Sequence, residues 1–104
     1  LSPGVNMRFI ALHEFTGRLP LLTPENAEML IGGSTKESIL SGIMNGCVAE
    51  VDGMIDQYKK QYEELTVVLT GGDSIFFDKK LKNSTFALPH LLFVGLNEIL
   101  RCNV

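Results

Sequence analysis

The chain has 104 residues, 45% of them apolar, and nine Lys and Arg against twelve Asp and Glu, for a formal charge of −3. That length supports one modest core, and the composition excludes a disordered chain. The acidic balance counts against a nucleic-acid-binding module, whose affinity rests on Lys and Arg neutralising phosphates.

No apolar run approaches a membrane span and no signal or transit peptide is visible, so a cytoplasmic location is expected. Cys47 and Cys102 fit no metal-ligand spacing and read as thiols in a reducing cytoplasm, with a disulfide between them an open but unsupported alternative. The opening Leu1-Ser2-Pro3-Gly4 reads as the point where a strand has just ended, so residues 1–104 are expected to be a single-domain fragment of a longer protein.

Ser2 and Pro3 predict a helix start, as cap and first helical residue. Val5, Phe9, Leu12 and Phe15 or Thr16 follow at helical spacing, and Gly17 and Pro20 end the run. Residues 21–30 read as a connector in which Thr23-Pro24-Glu25 could begin a helical turn. Gly32-Gly33 reads as a flexible approach to Ser34-Thr35-Lys36-Glu37, a capping box.

The box opens a long helix predicted to run to about residue 63. Its apolar stripe is Ile39, Ile43, Cys47 with Val48, Val51, Met54 or Ile55, Tyr58 and Tyr62. Gly42, Gly46 and Gly53 each cost a helix about 1 kcal/mol against alanine, so close packing of another backbone is expected there. Asp52 and Asp56 share a face and read as solvated, and Lys59-Lys60 and Glu63-Glu64 as weak i, i+4 pairs.

Leu65 to Leu69 predicts a buried strand that stops at Thr70-Gly71-Gly72-Asp73. A helix from Asp73 to about Lys82 follows, with Ile75 and Phe76 or Phe77 inward. Ser84 to Leu88 predicts a second strand, and Pro89 the start of a last helix carrying Leu92, Leu96, Ile99 and Leu100. The helix–strand alternation points to α/β with a parallel sheet, although two strands are too few for an independent one.

The strand ending in two glycines carries the most chemical information. Without a Cβ the backbone can approach a flat or charged ligand, as at nucleotide sites on the carboxyl ends of α/β strands. A tight strand-to-helix turn without a ligand has comparable weight. Asp73 can cap the helix or contact a nucleotide, and capping carries the greater weight. Thr35, beside Gly32-Gly33 at a helix start, can offer its hydroxyl to a polar substrate or be a spare residue of the capping box. His13 and His90 read as surface or capping residues, and Lys79, Lys80 and Lys82 as cations favoured near a helix C-terminus. No Walker sequence, nucleophile elbow or metal-ligand cluster is present.

The ordered set Leu1-Ser2-Pro3-Gly4, Thr16-Gly17-Arg18-Leu19-Pro20, Ile31-Gly32-Gly33-Ser34-Thr35, Ile39 with Ser41-Gly42-Ile43 and Gly46, Thr70-Gly71-Gly72-Asp73 and Leu92-Phe93-Val94-Gly95-Leu96 resembles the C-terminal half of type III pantothenate kinases, also called Bvg accessory factor homologues. The resemblance implies a ribonuclease-H-like domain of the actin, hexokinase and Hsp70 kind, lacking its N-terminal strands. It implies phosphorylation of pantothenate from ATP in coenzyme A synthesis, by a homodimer with magnesium and a monovalent cation, potassium or ammonium. Thr70, Gly71, Gly72 and Asp73 would lie on the nucleotide side. Thr35 would reach the pantothenate pocket of a neighbouring subunit, and Leu1 would lie near the substrate.

The family's Asp-containing phosphate motif, its Asp-Gly-Thr motif and its Gly-x-Asp-Arg motif, which bears the general base, do not occur in these residues. No catalytic residue is therefore expected here, and the chain alone is expected to show no turnover. The accessory-factor name also offers a transcriptional activator, against which the acidic charge counts. A non-catalytic dimerisation module is a third reading.

Overall fold

The computed structural model describes residues 1–90. In chain order these form α1 (Val5–Glu14), α2 (Thr35–Leu40), a π-helical segment (Ser41–Asn45), α3 (Gly46–Gln61), β1 (Val68–Leu69), α4 (Ser74–Lys80) and β2 (Phe86–Ala87). Cys102, the helix predicted after Pro89 and the Leu92–Leu96 motif lie outside the described residues. The chain divides into two compact units, residues 1–50 and 51–104, with the boundary inside α3.

In the first unit, Val5 and Phe9 stand one turn apart on α1 and are buried, Phe9 to 1% exposure. They belong to a core with Ile39, Leu40, Ile43, Met44 and Cys47. The predicted stripe contained only Ile39, Ile43 and Cys47 of these later positions. Leu40, at the end of α2, and Met44, in the π-helical segment, supply the rest, where the wider i→i+5 turn broadens the buried face.

Several expectations for this unit are corrected. The residue capping α1 is Gly4, with no side-chain cap bond, and the Ser2 hydroxyl is taken by the Glu50 carboxylate instead. The helix closes at Glu14, so Phe15 leaves the apolar face and is 89% exposed. No helical turn forms at Thr23-Pro24-Glu25. Gly32 is not merely flexible: a Cβ there would lie 2.4 Å from the Ser38 backbone nitrogen. Conversely, no atom lies within 4 Å of where a Cβ would stand on Gly42, Gly46 or Gly53, so the close backbone packing expected there is absent among the described residues.

The capping box forms as expected on one side. Glu37 N–H donates to Ser34 Oγ at 3.1 Å. The Glu37 carboxylate reaches one residue further back and accepts from Gly33 N–H at 2.6 Å.

The second unit holds a minimal strand–helix–strand element. β1 and β2 pair in parallel, Val68 with Phe86 and Leu69 with Ala87. Phe86 N–H donates to Val67 at 2.9 Å and Leu88 N–H to Leu69 at 2.7 Å. The α/β reading therefore holds, in a helix-rich form with few strands. The strand is shorter than predicted, and Leu65 and Val68 are exposed rather than buried, because among the described residues β1 pairs with β2 alone. Ile75 faces outward, while Phe76 and Phe77 meet edge to face at 5.3 Å.

Asp52 is the largest departure. It is buried at 7% exposure rather than solvated. Its carboxylate accepts from Lys82 N–H at 3.0 Å, Asn83 N–H at 3.2 Å and the Asn83 side-chain amide at 2.9 Å. Burial would raise its pKa, but these three donors outweigh burial and hold the carboxyl below the usual range. One turn on, Asp56 pairs with Lys82 at 2.7 Å, which lowers the acid's pKa and raises the lysine's. Gln61 ends α3, so Glu63 and Glu64 lie beyond it and Lys59 donates to Asn83 instead.

Candidate functional site

Thr35, Ser38, Ile39, Gly42 and Ile43 recur at helical spacing, so α2 and the π-helical segment present them on one face. Together with Arg8, Ala11, Leu12 and Leu19 they line an open groove of about 700 Å³ in the first unit. Its walls are mostly apolar. Two hydroxyls, Thr35 and Ser38, stand at the end where the helix begins, and among the described residues Arg8 is its one charged lining residue. Gly42 adds no side chain to the groove, and a Cβ there would meet nothing within 4 Å.

The loop leading into Thr35 is held in place from several sides. Ser41 Oγ, buried, donates to the Leu30 carbonyl, and Asn45 Nδ2 donates to the Met29 carbonyl at 3.1 Å. Gly33 is tied to Glu37, and Gly32 lies against the Ser38 backbone. The π-helical segment thus anchors the approach to Thr35. Such segments are frequent near functional sites, because the extra residue redirects neighbouring side chains. On the far wall, His13 Nδ1 donates to the Leu19 carbonyl at 2.8 Å and so fixes a lining residue.

Arg8 pairs with Glu50 at 2.8 Å. The hydrogen bond that Arg8 donates to Glu50 raises the arginine's pKa, and bonds donated by Ser2 and then Arg8 lower that of Glu50. Leu1 is fully exposed and is not among the residues lining the groove.

In the second unit, Thr70, Gly71, Gly72 and Asp73 form one exposed turn at the carboxyl end of β1. Gly71 has φ +96°, a conformation that side chains disfavour. Ser74 fixes the turn, its hydroxyl donating to the Gly71 carbonyl at 2.8 Å and its N–H at 3.3 Å. Asp73 occupies the cap position of α4, yet its side chain makes no cap bond, which corrects the capping reading. A Cβ on Gly72 would meet nothing within 4 Å, so the backbone there is open to approach.

The sequence profile described as type III pantothenate kinase matches residues 1–57, the stretch that contains the whole groove and its anchoring loop. The chain belongs to the type III pantothenate kinase family. A Christiangramia forsetii protein of that name is 52% identical over 103 residues, covering 99% of this chain and 42% of its own length. A Cytophaga hutchinsonii protein of the same name is 46% identical over 104 residues, covering 100% and 44%. One from Bacteroides fragilis is 47% identical over 103 residues, covering 99% and 42%. The chain therefore spans only about two fifths of the length of the curated relatives it matches.

Sequence reasoning singled out Thr35 but not its neighbours. Arg8, Ser38 and Gly42 were missed as groove residues, though spacing from Thr35 on the helix would have found the last two. Nothing local marked Ser41 and Asn45 as loop anchors. No group of three or more His, Cys, Asp or Glu side chains able to hold a metal occurs among the described residues. No helix among them is long and apolar enough to cross a membrane.

Proposed function

We propose that this chain forms the C-terminal part of a pantothenate kinase, which transfers the γ-phosphate of ATP to pantothenate in coenzyme A biosynthesis. The observation that carries the reading is the family match over residues 1–57, inside which Thr35 lines an open groove on an anchored helix start. An apolar groove with hydroxyls at one end suits a substrate with an aliphatic body and polar ends. In a homodimer, Thr35 would present its hydroxyl to the substrate of the neighbouring subunit. The uncovered glycines Gly42, Gly46 and Gly53 support such an assembly, since each leaves backbone open to close approach.

On the nucleotide side, Thr70, Gly71, Gly72 and Asp73 would take the adenosine part of ATP. The open backbone at Gly72 and the Asp73 carboxylate left unused as a cap support that reading. Magnesium and a monovalent cation enter with the family's chemistry; no step is assigned to them, because the described residues offer no metal-ligand cluster. The fold would be the ribonuclease-H-like domain of that superfamily, with the strand–helix–strand element as part of its sheet. Phosphoryl transfer depends mainly on positioning and on held phosphates. The general base would come from residues outside these 104, and the chain alone would not turn over.

A chimera tests this. Residues 1–104 replace the aligned segment of the Christiangramia forsetii relative, and ATP-dependent phosphorylation of pantothenate is measured. Activity that falls at least tenfold in kcat/KM with Thr35→Val is expected. A folded but inactive chimera, or turnover by the 104-residue chain alone, would overturn the proposal.

A further inference from the structure

We infer that Arg8 is a positioning residue, a clasp that holds the Leu1–Gly4 segment beside the groove through Ser2, Pro3 and Glu50. The inference rests on the proposed reading of Thr35 and the groove it shares with Arg8 as the substrate site. No side chain caps α1 at Gly4, so contacts from elsewhere must hold the segment that leads into it.

One guanidinium supplies it. Arg8 Nε donates to the Pro3 carbonyl at 2.9 Å. Arg8 Nη2 donates to Ser2 Oγ and to Glu50 Oε2, each at 2.8 Å. The Ser2 hydroxyl donates to the other Glu50 oxygen, which closes a ring of three side chains. The planar fork of arginine serves these directions at once, and a lysine ammonium on a flexible stem does not reproduce the geometry.

Two alternatives are weaker. Arg8 could be an anion trap in the groove, but Glu50 already neutralises it. It could be a stabilising surface ion pair, but both partners are partly solvated, at 24% and 40% side-chain exposure. Such pairs add little to global stability. The clasp therefore predicts a local effect, on the order of the segment and on substrate binding, with the rest of the unit unchanged.

The test has two arms. In the chimera with the Christiangramia forsetii relative, where Leu1 continues a longer chain, amide order parameters of Ser2 and Gly4 are measured by nuclear magnetic resonance for wild type, Arg8→Met, Arg8→Lys and Glu50→Gln. With Arg8→Met they fall from about 0.85, as in α1, to below about 0.6. Arg8→Lys restores part of the order, and Val5–Glu14 stays as in wild type. In the chimera, Arg8→Met raises KM for pantothenate about fivefold or more, with kcat within about twofold, the signature of lost binding. Unchanged order at Ser2 and Gly4 overturns the clasp. So does a loss spread evenly through residues 1–50, which marks a merely structural residue. Released order with an unchanged KM overturns its role in substrate binding. A wild-type chimera without turnover sinks the kinase reading, while the order parameters still decide whether Arg8 clasps the segment.

Discussion

Replacing Gly32 with alanine tests whether the approach to Thr35 is set by contact rather than by flexibility. The new Cβ would lie 2.4 Å from Ser38 N, 2.6 Å from Glu37 C and 2.7 Å from Ser38 Cα. All three are backbone atoms of α2, so no side chain can swing aside. The loop must move away by roughly 1 Å, and overpacking of that kind costs about 1–3 kcal/mol. The displacement also strains the Gly33–Glu37 bond and the Ser34 cap, 2.6 and 3.1 Å in the native chain. Losing such a cap costs about 1 kcal/mol more. The sum is about 2–4 kcal/mol, enough to lower the melting temperature of a domain this size by about 10 °C or more. Urea and thermal denaturation followed by circular dichroism measure it. Gly33→Ala is the internal control, since its Cβ meets only the flexible end of Glu37 at 3.2 Å. That variant should lose less than about 1 kcal/mol. A Gly32→Ala protein within about 0.5 kcal/mol of wild type, or one more stable than Gly33→Ala, would refute the reasoning.

The remaining predictions concern the turn after β1, the buried acid and the core. Gly71→Ala forces a side chain into φ +96° and should cost about 1–2 kcal/mol by urea unfolding. Gly72→Ala should leave stability unchanged but weaken ATP binding by the chimera several-fold; an unchanged KM for ATP would count against backbone approach there. Asp52, Asp56 and Glu50 have carboxyls held below their ordinary range. Their stabilisation is therefore complete above the unfolded values near pH 4 and is lost as pH falls through the folded ones. Urea midpoints should drop on acidification below about pH 4, and Asp52→Asn should flatten that decline. Phe9→Ala should cost about 3–5 kcal/mol, measured the same way, because the ring is fully buried.

Local rules made much of this chain legible. The Ser34–Glu37 box, the long helix it opens and the strand–turn–helix around Gly71-Gly72 are written in residues a few positions apart. Capping, turn and periodicity rules act over that range. The family motifs were legible for the same reason, as short ordered sets, and they brought Thr35 and the Thr70–Asp73 turn into view.

What the sequence could not show depends on residues distant along the chain. Asp52 reads as one more solvated carboxylate until the backbone of Lys82 and Asn83 closes over it, 30 and 31 residues away. Ser2 reads as a cap until Glu50, 48 residues on, takes its hydroxyl. Gly32 reads as slack until α2 packs against its missing Cβ. The π-helical segment left no local mark either, and the carbonyls that its Ser41 and Asn45 meet stand 11 and 16 residues back, on Leu30 and Met29. By itself, then, the sequence determined the main helices, the strand–turn–helix and the family. The tertiary structure alone decided which polar side chains are buried, which glycines are obligatory and where the groove lies, because those depend on contacts whose partners adjoin only after the chain has folded.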